Sequence, residues 1–249
     1  MKIVYQDRIV AFIDVLGFSS LVYSKSIEPI QNYFNYVLEE FTEDLRYYQF
    51  QYYLISDSIV VHLPIDKMHF EALVRTLVKL QMKLITRGIL VRGSISFGEL
   101  FSDNANNIIV GAGLINAFKL EAKAIYPRII IDRKIIPLLY ENSVAMLEDN
   151  SGRIVITPPP PYLTDFPYLN YTYKLAIVMQ GQKLHRVKEL LRQNNYLNDN
   201  IDKYLWLVHH ILLSVQNQMT YLESKPAKNK RDARRMRILT KFKSEIEAI

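Results

Sequence analysis

The sequence predicts an α+β domain in which helices pack on an antiparallel sheet. Three observations carry that prediction. Short β-branched runs alternate with long amphipathic stretches. Two apolar runs within 51–63 are separated only by Ser56-Asp57-Ser58, the signature of a hairpin with a polar turn. Six of the eight glycines lie between Gly17 and Gly113, whereas eight of the ten prolines lie from Pro127 onward, so a compact first part gives way to an irregular second part.

The elements follow in order. Residues 9–15, IVAFIDV, form a short apolar run that meets Leu16-Gly17-Phe18-Ser19-Ser20 and reads as a buried strand entering a helix through a tight turn. Residues 28–48 place Ile30, Phe34, Val37, Leu38, Phe41 and Leu45 on one helical face. The hairpin at 51–63 precedes a second long helix at 66–87, a strand at 90–97, a helix at 111–124 and a strand at 128–131. The resulting β-α-α-β-β-α-β-α-β order is a split arrangement with its helices on one face of the sheet. The four prolines at 158–161 exclude helix and central strand. They suggest a first domain over 1–156 and, over 157–249, a Pro-rich connection leading to helices at 182–194, 201–223 and 228–247. There is no internal repeat.

Composition narrows the function. The 249 residues are 49% apolar and 22% charged, ordinary values for a globular chain. There is no cysteine, which removes disulfide scaffolds, thiolate zinc sites and cysteine nucleophiles. The first residues carry Asp7, Arg8 and Asp14 and no apolar leader core, and 204–215 is too short to span a bilayer, so a cytoplasmic protein without a membrane partner is expected. The formal net charge is +6, yet residues 225–243 alone hold nine Lys/Arg and one Asp, a local +8 that leaves −2 for the rest. The basicity belongs to the tail, which argues against nucleic acid as the partner of the main body.

Common catalytic signatures are missing: there is no His-Glu-x-x-His, no Gly-x-Ser-x-Gly and no phosphate loop of the Walker type. Gly111-x-Gly113 lacks the third glycine of a dinucleotide fingerprint and does not follow the first strand. His62, His69, His185, His209 and His210 lack the spacing of metal ligands and read as filler. Two aspartates remain. Asp14 ends the first strand and Asp57 occupies the hairpin turn, so neighbouring strands would bring both carboxylates to one sheet edge. Such a pair is costly without a counter-charge, and hard divalent cations such as Mg2+ or Mn2+ relieve it through oxygen ligands. A helix cap at Asp14 and an ordinary turn residue at Asp57 are the alternative. The turn into a helix after Asp14 would also aim the amides of Leu16, Gly17 and Phe18 at an anion.

The surrounding residues carry a resemblance. Phe12-Ile-Asp14-Val-Leu-Gly17-Phe18-Ser19-Ser20-Leu21, Ser56-Asp57-Ser58, Arg92-Gly-Ser-Ile-Ser-Phe-Gly98 and the block from Gly111 through Lys119-Leu120-Glu121 resemble, in order and spacing, four motifs of the class III nucleotidyl cyclases. The resemblance covers roughly residues 10–131. It implies a ferredoxin-like, palm-type catalytic core and two Mn2+ or Mg2+ ions held by Asp14, Asp57 and the Val15 carbonyl. It also implies triphosphate binding by Arg92, a transition-state role for Lys119 where the family has arginine, and a homodimer with composite sites. The departures matter. Tyr53 stands where purine cyclases place a base-reading lysine, and Asn107-Ile108 falls at the second base-reading position. The family's ribose asparagine falls on Ile115, with Asn116 one residue later. This pattern is similar to the pyrimidine cyclases of the bacterial Pycsar anti-phage system. It implies UTP or CTP as substrate, cyclic UMP or cyclic CMP as product, and a downstream effector that senses it. The alternatives are a catalytically degenerate cyclase-like protein that binds nucleic acid or an effector, and a palm-type enzyme joining two nucleotides.

Overall fold

A computed structural model describes residues 3–23, 27–150, 152–156, 166–178, 182–193, 201–226 and 229–249. They fall into two compact units, Met1–Gln81 with Ile89–Asn170 and Met82–Gly88 with Tyr171–Ile249.

The first unit is built on strands β1 (Gln6–Val15), β2 (Gln51–Ile55), β3 (Ser58–Pro64), β4 (Val91–Asp103), β5 (Ile108–Val110), β6 (Ile129–Ile131), β7 (Ile154–Val155) and β8 (Tyr168–Leu169). The sheet order is β2-β3-β1-β4-β6-β8-β7, with β5 paired to β4 off this path. All pairings are antiparallel except β4 with β6, which is parallel. Helix α1 covers Phe18–Tyr23. Helices α2 (Ile27–Tyr36) and α3 (Thr42–Tyr47) are joined through a π-helical stretch at Val37–Phe41, followed by α4 (Lys67–Ile85), α5 (Ala112–Glu121), α6 (Ile136–Leu139) and α7 (Ser143–Asn150). The α+β architecture expected from the sequence is present. The domain boundary expected at 156 differs from the first unit's end at Asn170, because β8 pairs with β6 and β7 and extends the sheet. The four prolines at 158–161 lie outside the described residues.

Strand periodicity sorts the sheet into two unlike faces. On one, Ile9, Ala11, Ile13, Ile59, Val61, Leu63 and Ile95 are buried to 1% exposure or less. On the other, the register sets Val10 opposite Ser96, Phe12 opposite Ser94 and Asp14 opposite Arg92. Helix α5 lies on this second face. Its Ala117 joins Val10, Tyr53, Val60 and Leu100 in one cluster, Phe118 packs edge-on against Phe12 at 5.4 Å, and the Ser94 hydroxyl donates to the Ala117 carbonyl at 2.6 Å.

What lets α5 sit so low is a pair of glycines. Gly98 has φ +152, and a Cβ there would lie 3.0 Å from the Gly113 nitrogen; one on Gly113 would lie 2.9 Å from the Gly98 carbonyl oxygen. Gly111-x-Gly113 is therefore a packing device for helix against strand.

The second unit contains α8 (Leu175–Val178), α9 (Gln182–Gln193), α10 (Ile201–Ser224) and α11 (Lys230–Glu247). Trp206 stacks on His210 at 4.7 Å, and Thr172 donates a hydrogen bond to Ser214 at 2.8 Å. Helix α11 starts with a capping box in which Asn229 and Asp232 satisfy each other's backbone N–H, and it buries Leu239, Phe242 and Ile246. No described helix is long and apolar enough to cross a membrane.

The glycine contact generates a test. Gly98→Ala places a side chain in a left-handed backbone and against Gly113, so it should lower unfolding stability by about 2 kcal/mol or more in urea titrations. A variant as stable as the parent would show that α5 does not depend on this approach.

Candidate active site

Asp14 reaches the end of β1 on the α5 face, where ladder pairing sets it opposite Arg92. Asp57 is the second residue of the two-residue turn between β2 and β3, after Ser56 at φ 56. The Tyr33 hydroxyl donates to the Asp57 carbonyl at 2.8 Å and fastens this turn to α2. Tyr33 is in turn packed against Phe34 at 5.1 Å and Phe18 at 6.3 Å. Phe18 therefore anchors the loop after β1 through an aromatic cluster.

The two aspartates converge as the sequence predicts. Burial lifts the Asp14 carboxyl above the usual carboxylate range, and the neighbouring Asp57 charge lifts it further. The Ser58 hydroxyl, which donates to Asp14 Oδ1 at 3.2 Å, and the Arg92 guanidinium act in the opposite sense. Arg92 Nη2 lies 3.8 Å from Asp14 Oδ2, while its Nε pairs with Glu121 Oε1. Burial also raises the Glu121 carboxyl, with Arg92 lowering it and Asp14 raising it. Burial, then the Asp57 and Asp14 charges, raises the Tyr33 phenol. This end of the sheet holds an excess of negative charge, incompletely offset by one arginine.

The backbone beside it is partly committed. Val15 closes the ladder opposite Val91, and the Leu16 N–H donates to the Leu90 carbonyl at 2.9 Å. The Leu16 amide is thus engaged in the fold, a correction to the three-amide expectation. Gly17, at φ +77, has open space where a side chain would project, so the chain surface there is accessible.

The remaining expected residues lie elsewhere. Asn116 donates from Nδ2 to the Phe97 carbonyl at 3.1 Å, and with Lys119, Lys123, Lys134 and Ser96 it lines a cleft of about 370 Å³. Phe97 is five residues along β4 from Arg92, roughly 17 Å away. Tyr53 is 4% exposed. Its ring stacks on His62 at 6.2 Å and its hydroxyl donates to the Ile108 carbonyl at 2.9 Å. The two positions expected to read a base, Tyr53 and Asn107-Ile108, are therefore neighbours, and both Tyr53 and Asn107 line a hollow of about 380 Å³. Burial raises the Tyr53 phenol. His62, expected as filler, is buried with both ring nitrogens unpartnered and is pushed down to about 4 by burial, so it is neutral at pH 7.

The sequence reading named Glu121 within a motif but gave it no role, and it missed Tyr33, Lys123 and Lys134. Glu121 carried a signal: a carboxylate in the last turn of a helix opposes the helix dipole and calls for a cationic partner. Tyr33 carried none, being one of 17 tyrosines.

The donor set suits a hard divalent cation. It offers two carboxylates with mutual repulsion and a backbone carbonyl at Val15. Among the described residues no group of three or more His, Cys, Asp or Glu side chains is arranged to hold a metal, so any ion here would rest on the aspartate pair and backbone or substrate oxygens.

Several solved structures are similar to this chain. The adenylyl cyclase CyaB from P. aeruginosa is 15% identical, with 68% of this chain and 94% of that chain covered and a TM-score of 0.48. The adenylate/guanylate cyclase/hydrolase from Silicibacter pomeroyi is 15% identical, with 67% and 96% covered and a TM-score of 0.48. The monomeric guanylyl cyclase domain of the RhoGC fusion protein from the aquatic fungus Blastocladiella emersonii is 16% identical, with 68% and 96% covered and a TM-score of 0.46. No protein-family model matches the chain, and no curated protein matches it by sequence.

The raised Asp14 carboxyl has a definite sign in stability. A carboxyl whose folded pKa exceeds its unfolded value of about 3.9 costs stability as pH rises from that value through the folded one. Asp14→Asn should therefore melt at higher temperature than the parent at pH 7 without metal, and the gain should vanish near pH 4. Added MnCl2 should raise the melting temperature of the parent more than that of the variant. A variant that melts lower at pH 7 would show that Asp14 is not under charge strain.

Proposed function

We propose that this protein is a pyrimidine nucleotide cyclase that converts UTP or CTP to the 3′,5′-cyclic monophosphate and pyrophosphate. The observation that carries the reading is the Asp14/Asp57 pair, converging beside Arg92 at an accessible loop. In the reaction the ribose 3′-oxygen bonds to its own α-phosphorus, the bond from that phosphorus to the β-phosphate bridging oxygen breaks, and the hydroxyl proton is lost to solvent. Asp14, Asp57 and the Val15 carbonyl would hold two Mn2+ or Mg2+ ions. Bound there, such ions acidify the hydroxyl and neutralise the triphosphate.

The chain's own residues have separate tasks. Arg92 offers a planar guanidinium to phosphate oxygens. Gly17 and Phe18 present backbone N–H groups beside it. Lys119 offsets charge that develops on the α-phosphate, and Asn116 positions the ribose. Tyr53 and Asn107-Ile108 border the base; the Tyr53 hydroxyl already serves Ile108, so the ring is what fills the space beside a small base.

These tasks do not meet within one protomer, since Asn116 and Lys119 line a cleft on another part of the sheet from Asp14. Two copies related by two-fold symmetry would join one copy's carboxylates to the other's cleft. Ile55, Ile115 and Phe118, each more than half exposed, supply apolar surface for such a face. The resemblance to Pycsar cyclases supports a role in bacterial anti-phage defence, with the product acting on a cyclic-nucleotide-sensing effector in the cytoplasm.

Incubation with the four ribonucleoside triphosphates and MnCl2, followed by mass identification, should yield a cyclic pyrimidine monophosphate. Asp57→Ala should abolish the product without lowering the melting temperature. Dinucleotide product, or full activity in that variant, would overturn the reading.

Subunit sharing is tested by mixing Asp57→Ala with Lys119→Ala, the latter chosen because it is exposed while Tyr53 is part of the core. Each protein alone should be inactive. After exchange, half of the dimers regain one of their two sites, so roughly a quarter of parental activity should return. No recovery after demonstrated exchange would mean that the sites are not shared.

A further inference from the structure

Helix α11 carries more positive charge than its own fold uses. Its acidic residues are all engaged: Asp232 by Lys225 at 2.9 Å, Glu245 by Lys188 at 2.8 Å and Glu247 by Lys243 at 3.7 Å. Arg235 points to Gln218, at 3.1 Å. Lys230, Arg231, Arg234, Arg237 and Lys241 remain, all exposed and none ion-paired to a described residue, and four of them, Lys230, Arg234, Arg237 and Lys241, share one side of the helix. Their spacing of four, three and four residues stacks them in one row along the helix, about 16 Å long. The row lies opposite the buried side that carries Leu239, Phe242 and Ile246.

Beside the row runs a groove of about 510 Å³ between α10 and α11. Its floor is Leu222, Ala233, Met236 and the Thr240 side chain. Asp232, whose charge Lys225 already takes up, also lines it, and Arg237 and Lys241 of the row form its rim. A largely apolar floor with an exposed cationic edge at helical spacing is complementary to one kind of ligand. We infer that this groove docks an acidic amphipathic helix of a partner protein, with apolar side chains on Met236 and Ala233 and carboxylates on Arg234, Arg237 and Lys241. Met236 suits this role because its unbranched, polarisable side chain adapts to varied apolar partners. A nucleic-acid backbone would use the row and leave the apolar floor uncovered, so the groove favours the peptide. This inference stands apart from the proposed chemistry, which uses none of these residues.

The test uses the full chain at physiological salt and a synthetic four-turn peptide with Leu at i, i+3, i+4 and i+7 and Glu at most other positions. Controls are a scrambled peptide of the same composition, single-stranded oligo-dT and phosphatidylserine vesicles. Fluorescence anisotropy should give a Kd on the order of 10 µM for the amphipathic peptide, with scrambled peptide at least tenfold weaker. Met236→Lys, and separately the pair Arg237→Glu and Lys241→Glu, should each weaken binding about tenfold while leaving the melting temperature unchanged, since all three side chains lie on the groove and its rim. Equal binding of the scrambled peptide would mean that charge alone acts and would overturn the inference. So would tighter binding of oligo-dT or vesicles, self-association that excludes the peptide, or no peptide binding.

Discussion

The whole of the candidate site depends on one charge problem: two aspartates held together at the end of β1 with a single arginine between them and a buried glutamate. β1 is paired along six positions to β3 and along ten to β4, and that register alone stands Asp14 beside Ser58 and Arg92. Because strand side chains alternate, a one-residue slip would turn Asp14 into the face that Ile9, Ala11 and Ile13 seal. A carboxylate there would lose both its hydroxyl donor and its guanidinium in a dry interior. The ladder and the charge arrangement therefore specify each other. The residual repulsion between Asp14 and Asp57 is the part of the sheet that the fold leaves unresolved and that an oxygen-seeking cation would resolve.

Helix α5 ties this end of the sheet to the rest. Its first turn rests on Gly98, its middle closes the apolar cluster through Ala117 and the Phe12–Phe118 contact, and its last residue, Glu121, holds Arg92. A change in how α5 sits would thus move the guanidinium as well as the core. Holding Arg92 by a buried carboxylate has an electrostatic consequence: part of its charge is spent on Glu121, and Asp14 receives less of it. Asp14 stays raised in spite of an arginine 3.8 Å away because its burial, and then the neighbouring Asp57 charge, outweigh that arginine and the Ser58 hydroxyl.

Much of this was legible in the sequence. Long apolar periodicities fixed α4, α10 and α11 to within two residues or so at each end, and the Ser-Asp-Ser turn located the hairpin and with it Asp57. What escaped was short or non-local. β7 and β8 are two residues each and exist only because β6 offers an edge, a signal no local pattern contains. The meaning of Gly98 and Gly113 needed the helix–strand contact, and the core position of Tyr53 needed β5, whose Ile108 carbonyl takes its hydroxyl. The pairing of Arg92 with Glu121 joins positions far apart in the chain, so only the antiparallel run of α5 on β4 reveals it.

That antiparallel run also explains why one protomer divides its expected site residues. Asn116 lies against Phe97 and Glu121 against Arg92, so advancing along α5 retreats along β4. Lys119 and Glu121 are two residues apart and therefore point to nearly opposite sides of the helix: Glu121 is buried against Arg92, and Lys119 is exposed to the cleft with Lys123 and Lys134. No rotation of α5 about its own axis could present both to one ligand. Asp14 stands on the Arg92 side together with Glu121, so the Lys119 of the same copy projects away from that carboxylate cluster.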